Sequence, residues 1–130
     1  MIPFRRRLTP EQQRAEFVRI QELHTSRAPI IMERGSRDTP TLDKEKFLVP
    51  YELTVAQFSH VIRRRIKMDQ ATSIFLIVNN LLPCSTDTIR AIYDAHASED
   101  GFLYITYTTE NASSWIESIT TTYSTDSIAV

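Results

Sequence analysis

A proline at position 50 ends the apolar run Phe47-Leu48-Val49, and a well-marked helix start follows it almost at once. Proline has no N–H to give to a ladder, so a strand that closes on it belongs at the rim of a sheet rather than in its middle. Asp43, Lys44, Glu45 and Lys46 lead into the run, and charges of this kind guard a rim against unwanted pairing. The same rim can accept an extended peptide as one more strand, with pockets on either side for alternate side chains of the guest. A guarded rim and a peptide dock are two readings of the same residues.

The helix start is specified by more than one device. Thr54 and Gln57 have capping-box spacing, and Leu53 and Phe58 can form a hydrophobic staple across the first turn. Phe58, Val61, Ile62 and Ile66 then recur at helical period, while Arg63, Arg64, Arg65 and Lys67 crowd the opposite side. Thr9, Pro10 and Gln12 repeat the capping logic, which predicts a helix over residues 10–24 that buries Phe17, Ile20 and Leu23.

Between these helices, residues 28–33 read as a strand and residues 34–43, with Gly35 and Pro40, as a polar loop. Residues 74–78 are continuously apolar, the mark of a central strand covered on both faces. Asn79 and Asn80 turn the chain, and Leu81-Leu82-Pro83 suits a short return strand. Ser85 or Thr86 caps a further helix carrying Ile89, Ile92 and Tyr93, and residues 102–107 are rich in strand formers. The expected architecture is α+β, like a ubiquitin β-grasp with an N-terminal helical extension. Residues 1–27 form the extension, residues 28–112 the β-grasp core, and residues 113–130 a flexible Ser/Thr-rich tail on which Trp115, Ile116 and Ile119 offer local docking points.

With 130 residues there is room for one core and not for two. A formal net charge of −1 gives no overall pull toward nucleic acid or anionic lipid, so any electrostatic partner must be met locally. The single cysteine, Cys84, excludes an internal disulfide and a multi-cysteine metal site, which fits a reducing, cytoplasmic setting. No apolar run approaches the length that spans a bilayer, and Arg5, Arg6 and Arg7 are not followed by an apolar signal region. His24, His60 and His96 lack ligand spacing, no Gly-rich phosphate loop occurs, and no Ser-His-Asp set is discernible. The expectation is a binding protein and not an enzyme, with no metal, no cofactor and no nucleic-acid partner.

Asp43 to Pro50, Leu53 to Phe58, Ile62-Arg63-Arg64-Arg65-Ile66 and Asp100-Gly101-Phe102-Leu103-Tyr104-Ile105-Thr106-Tyr107 occur in order. Together they resemble the ubiquitin-like autophagy modifiers, the family of GABARAP and microtubule-associated light chain 3. The resemblance runs from about Glu11 to Asn111. It implies that the first and last strands lie side by side at the sheet centre. It also implies that motifs of the form aromatic-x-x-aliphatic, carried by autophagy receptors and adaptors, add a strand beside residues 46–50.

The implied aromatic pocket is Glu16, Ile20, Pro29, Ile31, Lys46, Leu48 and Phe102, and the implied aliphatic pocket is Phe47, Val49, Pro50, Leu53, Phe58, Val61, Ile62 and Arg65. Arg27, Lys46 and Arg65 are placed to meet the acidic residues that flank such motifs. The family's conjugation and protease machinery are further implied partners, acting at a C-terminal glycine that is joined to lipid, with recruitment to autophagosomes or other vesicles.

The sequence departs from the pattern at that point. Glu110-Asn111-Ala112-Ser113-Ser114 occupies the matching stretch, with Ser114 at the glycine position, and the chain's glycines are Gly35 and Gly101. Only glycine lacks the Cβ that obstructs a narrow enzymatic channel, so ordinary lipidation is not expected. A second function class rests on Arg5 to Arg7 and the basic run from Arg63, which suit a microtubule, a peripheral membrane or another acidic surface. A solvated cationic face is the plain reading of the same clusters. The terminal Ile128-Ala129-Val130 is a weak match to segments captured by strand addition.

Overall fold

The computed structural model describes residues 4–66 and 73–109. In chain order the elements are α1 (Phe4–Arg7), α2 (Pro10–Leu23), β1 (Arg27–Arg34), β2 (Lys46–Pro50), α3 (Val55–Ile66), β3 (Ile74–Ile77), α4 (Ile89–His96) and β4 (Leu103–Thr109). The strands form one sheet in the order β2-β1-β4-β3. The parallel pair β1 and β4 occupies its centre, with antiparallel strands on both flanks. The predicted α+β architecture, with first and last strands adjacent, is what the chain adopts.

Period-2 alternation sorts the core into two layers. Ala28, Ile30 and Met32 of β1, Phe47 and Val49 of β2, and Leu103, Ile105 and Tyr107 of β4 meet α3 and α4 through Phe58, Ile62, Ile89 and Ile92. The alternate residues Ile31, Leu48 and Tyr104, joined by Phe102, meet Phe4 of α1 and Phe17 and Ile20 of α2. β1 is therefore buried on both sides from Ala28 to Met32.

Both predicted capping boxes are formed. Thr9 Oγ1 accepts from Gln12 N at 3.1 Å while Gln12 Oε1 accepts from Thr9 N at 2.9 Å, and Thr54 with Gln57 repeats this at 3.2 and 2.9 Å. Each such cap contributes ~1 kcal/mol to its helix. The α3 start is further closed by the 84–88 loop, whose Asp87 and Ser85 carbonyls accept the Val55 and Ala56 amides at 2.8 and 3.0 Å.

Several expectations are corrected. Residues 74–78 do not make a central strand: among the described residues β3 pairs only with β4, and Ile74 and Phe75 are only half-buried. An apolar run tells of burial, and one face of a rim strand supplies that as well as a sheet centre does. No return strand forms at residues 81–83; Val78 and Leu81 make a single bridge closed by Asn79 and Asn80 at φ 49° and 63°. Asparagine tolerates this left-handed pair, which closes a two-residue turn, and Pro83 has no N–H to extend a ladder beyond the bridge.

The cap of α4 is Thr88, which accepts from Ala91 N at 3.1 Å, and neither Ser85 nor Thr86 serves. Leu23 is 67% exposed and Val61 41%, whereas Gln13 and Val55 are buried in their helices. Gln13 donates to the Arg5 and Leu8 carbonyls at 2.9 and 3.0 Å, which holds α1, an element absent from the sequence reading, onto α2. Lys67, the residue 113–130 tail and Ser114 lie outside the described residues.

Candidate functional site

The outer side of β2 carries no strand among the described residues. Its register with β1 decides which groups face out. Met32 N donates to Glu45 O at 2.8 Å, and the ladder continues with Ile30 opposite Phe47 and Ala28 opposite Val49. In an antiparallel ladder hydrogen-bonded pairs recur at every second residue, so Phe47 and Val49 face β1 while the N–H and C=O groups of Lys46 and Leu48 face the open side. Pro50 falls next in the outward set and has no N–H, and its carbonyl accepts from Leu53 N at 3.2 Å. The free ladder is short, and proline is what ends it.

Beside this rim lies a cleft of 390 Å³ between α2 and the sheet. Of the predicted aromatic pocket, Ile20, Pro29, Lys46, Leu48 and Phe102 line it together. Ile31 is wholly buried beneath them in the same apolar layer. Glu16 does not line the cleft; it reaches over to Lys46 Nζ at 2.6 Å and also takes Arg19 Nη2 at 2.8 Å. Hydrogen bonds from Arg19 first, then Lys46, pull the Glu16 carboxyl down to about 2. It therefore stays ionised across ordinary pH and tethers Lys46 at the mouth of the cleft. A second hollow, lined by Phe4, Arg7, Leu8, Glu16 and Lys46, lies on the other side of that tether.

Sequence reasoning missed Arg19, Leu23 and His24, which also line the cleft. They follow Ile20 and Pro29 in space because positions one turn apart on α2 share a face, a spacing present in the sequence.

The predicted aliphatic pocket divides by depth. Phe47, Val49, Phe58 and Ile62 are core residues at 0–6% exposure, so they form a floor and not walls. Pro50 and Leu53 are half-buried, and Val61 and Arg65 are exposed. Phe47 meets Phe58 edge-on at 6.2 Å between centroids, with Lys44 Nζ 4.8 Å and the Arg65 guanidinium 5.5 Å from its own ring.

The predicted charge contacts are not equivalent. Arg27 is exposed at the head of β1 and lines the cleft. Arg65 grips Asp43 at 2.7 and 3.2 Å, which lowers the Asp43 carboxyl, and Lys46 is tied to Glu16. An acidic guest must compete with those carboxylates. Of the N-terminal arginines, Arg5 pairs with Glu33 at 2.8 Å and stacks over Tyr104 at 3.8 Å, and Arg7 pairs with Glu45. These engagements weaken the case for a free cationic face. Among the described residues no group of three or more His, Cys, Asp or Glu could hold a metal, and no helix is long and apolar enough to cross a membrane.

A family model described as autophagy protein Atg8, ubiquitin-like, matches residues 12–114. Autophagy-related protein 8 of Mycosarcoma maydis is 47% identical over 102 residues, which is 78% of this chain and 86% of that protein. Autophagy-related protein 8c of Arabidopsis thaliana is 48% identical over 102 residues, with the same 78% and 86% covered. The crystal structure of Trypanosoma brucei ATG8 superposes with a TM-score of 0.79 at 34% identity, covering 85% of this chain and 96% of that one. Plasmodium falciparum Atg8, solved in complex with a peptide of Plasmodium falciparum Atg3, superposes with a TM-score of 0.75 at 28% identity, covering 82% and 95%.

Proposed function

The chain belongs to the Atg8 family of ubiquitin-like autophagy proteins, and on that premise we propose that it is a non-enzymatic adaptor that binds aromatic-x-x-aliphatic motifs by strand addition to β2. The observation that carries this reading is the outward pair Lys46 and Leu48 beside the 390 Å³ cleft. The guest backbone bonds to those two residues. Its aromatic side chain enters between Ile20, Pro29, Leu48 and Phe102, and its aliphatic one settles on Pro50, Leu53 and Val61 over the Phe58 and Ile62 floor. A ladder that proline cuts short suits a short motif. The Plasmodium falciparum relative, solved with an Atg3 peptide, supports a peptide of the autophagy machinery as one class of guest. The setting that follows is the cytoplasm, with recruitment to autophagosomes or other vesicles through the guest.

Leu48→Ala is the informative substitution, because Leu48 is half-buried and takes part in the cleft rather than the main core. A labelled motif peptide should bind the native protein in the micromolar range. Leu48→Ala should weaken it roughly tenfold or more. Unchanged affinity in a folded Leu48→Ala protein would remove the site assignment.

We further propose that the chain does not take up lipid at the family's glycine position. The family match ends at Ser114, and residues 102–130 contain no glycine. Incubated with an Atg8-family protease and conjugation enzymes, the native chain should give no phosphatidylethanolamine-linked product, while Ser113→Phe with Ser114→Gly should gain one. A lipid-linked native product, seen by mass spectrometry, refutes this.

A further inference from the structure

A further cleft, of 590 Å³, opens at the other end of the sheet, between α1 and the segment that leads into β2. Phe4, Met32, Leu42 and Tyr107 line it and are buried, which gives it an apolar floor. Its charged lining is unevenly matched. Glu33 is taken by Arg5 and Glu45 by Arg7, whereas Arg34 bonds to Thr39 O and Thr41 Oγ1 and Lys44 lies over the Phe47 ring. Neither Arg34 nor Lys44 makes an ion pair among the described residues. β4 leads residues 110–130 to this end of the sheet. It runs parallel to β1 with Tyr107 opposite Arg34, and Thr109 N donates to Thr39 Oγ1 at 3.3 Å, on the loop that continues to Thr41 and Leu42. Residues 110–130 hold Glu110, Glu117 and Asp126 and no lysine or arginine, so the rest of the chain is net positive. From this arrangement we infer that the cleft is an intramolecular dock for the tail: Trp115, Ile116 and Ile119 enter over Phe4, Met32 and Leu42, with Glu110 and Glu117 meeting Arg34 and Lys44.

Chain length selects this cleft over the one beside β2. Trp115 follows Thr109 closely enough that the fully extended span between them is about 20 Å. Thr106, on the wall of the cleft, lies back along β4 from Thr109 by about 10 Å at the rise of a strand. Phe102, in the cleft beside β2, lies back by about 23 Å on the same measure. Trp115 has slack for the first and none for the second. A tether this short holds tail and cleft at an effective concentration on the order of millimolar, so a contact too weak to join separate molecules closes within one. The gain is apolar area taken from water over the floor, and the two ion pairs fix the direction of entry. The inference stands apart from the peptide-docking reading, since it makes no use of the outward groups of Lys46 and Leu48.

Trp115 is the chain's single tryptophan, so its fluorescence reports the dock directly. In the full chain its quenching by acrylamide should be roughly threefold to tenfold weaker than in a free peptide of residues 110–130, as a mostly closed tether requires. Glu110→Lys with Glu117→Lys, changes that leave the folded body untouched, should restore quenching toward that of the peptide. Lys44→Glu, on an exposed side chain, should do so in part. A nitroxide on Ser114→Cys in a Cys84→Ser background locates the tail. By NMR it should broaden the amides of Gly35, Thr41 and Leu42 more than those of His24, Leu48 or Ile77. A mixture of nitroxide-bearing chain with isotope-enriched unlabelled chain should show no such broadening. Quenching equal to the free peptide's, or broadening centred on the cleft beside β2 or on β3, overturns the inference. Broadening in the mixture assigns the cleft to the tail of a second copy and overturns the intramolecular dock. Protection that survives the double lysine variant overturns the pairing with Arg34 and Lys44.

Discussion

Gly101→Ala should cost about 2–4 kcal/mol of folding stability, the sum of a disfavoured backbone and an overpacked contact. Gly101 sits at φ +96°, where a side chain is strained whatever the space, and a Cβ there would lie 2.5 Å from three atoms of the Phe17 ring. The surrounding turn gives it nowhere to go. Gly101 N donates to Ser98 O at 2.9 Å and Ser98 N to Phe102 O at 2.8 Å. The Tyr93 hydroxyl donates to Gly101 O at 2.6 Å, and burial pushes that phenol up to about 12. Chemical denaturation should show the loss, with a fall in Tm on the order of 10 °C. Adding Phe17→Ala removes the clash but not the strain, so the double variant should be less destabilised than the two single losses added together. A fully additive pair would show that the ring yields freely and that backbone strain is the whole effect.

The second large effect is at Phe47, where Phe47→Ala should cost about 3–5 kcal/mol. The side chain is 6% exposed, faces α3 and meets Phe58 edge-on. A peptide-binding defect in that variant would therefore confound the fold with the site. Leu48 is the next residue and faces the other layer, so Leu48→Ala reads the cleft with far less damage to the core. Denaturation midpoints of the two variants measured side by side should differ by several kcal/mol in the direction of Phe47. Equal losses would mean that β2 is not held in the register described here.

Local devices were the most legible part of the chain. Thr9 with Gln12 and Thr54 with Gln57 declare their helices because capping is decided within four residues. The rim position of β2 followed from Pro50 for the same kind of reason. Strand order was not local: an apolar run over residues 74–78 looks the same at a centre as at a rim with one covered face. α1 was invisible because one turn of helix has no periodicity of its own and is held by the distant Gln13 side chain. At the site, the apolar lining came from family resemblance, while the tether from Glu16 to Lys46 and the turn that brings His24 to the cleft depend on packing between α2 and the sheet.

The parallel pairing of Ile30 with Leu103 joins the first strand to the last. A chain emerging from the ribosome therefore holds α2, β1 and β2 long before β4 arrives to lie against them. Until it does, Phe102 is missing from the cleft, and β1 has one bare side. Contacts so distant along the chain are slow to form. The cleft beside β2 is thus a late product of synthesis, and a polypeptide cut short before residue 102 lacks both its Phe102 wall and the strand that covers one side of β1.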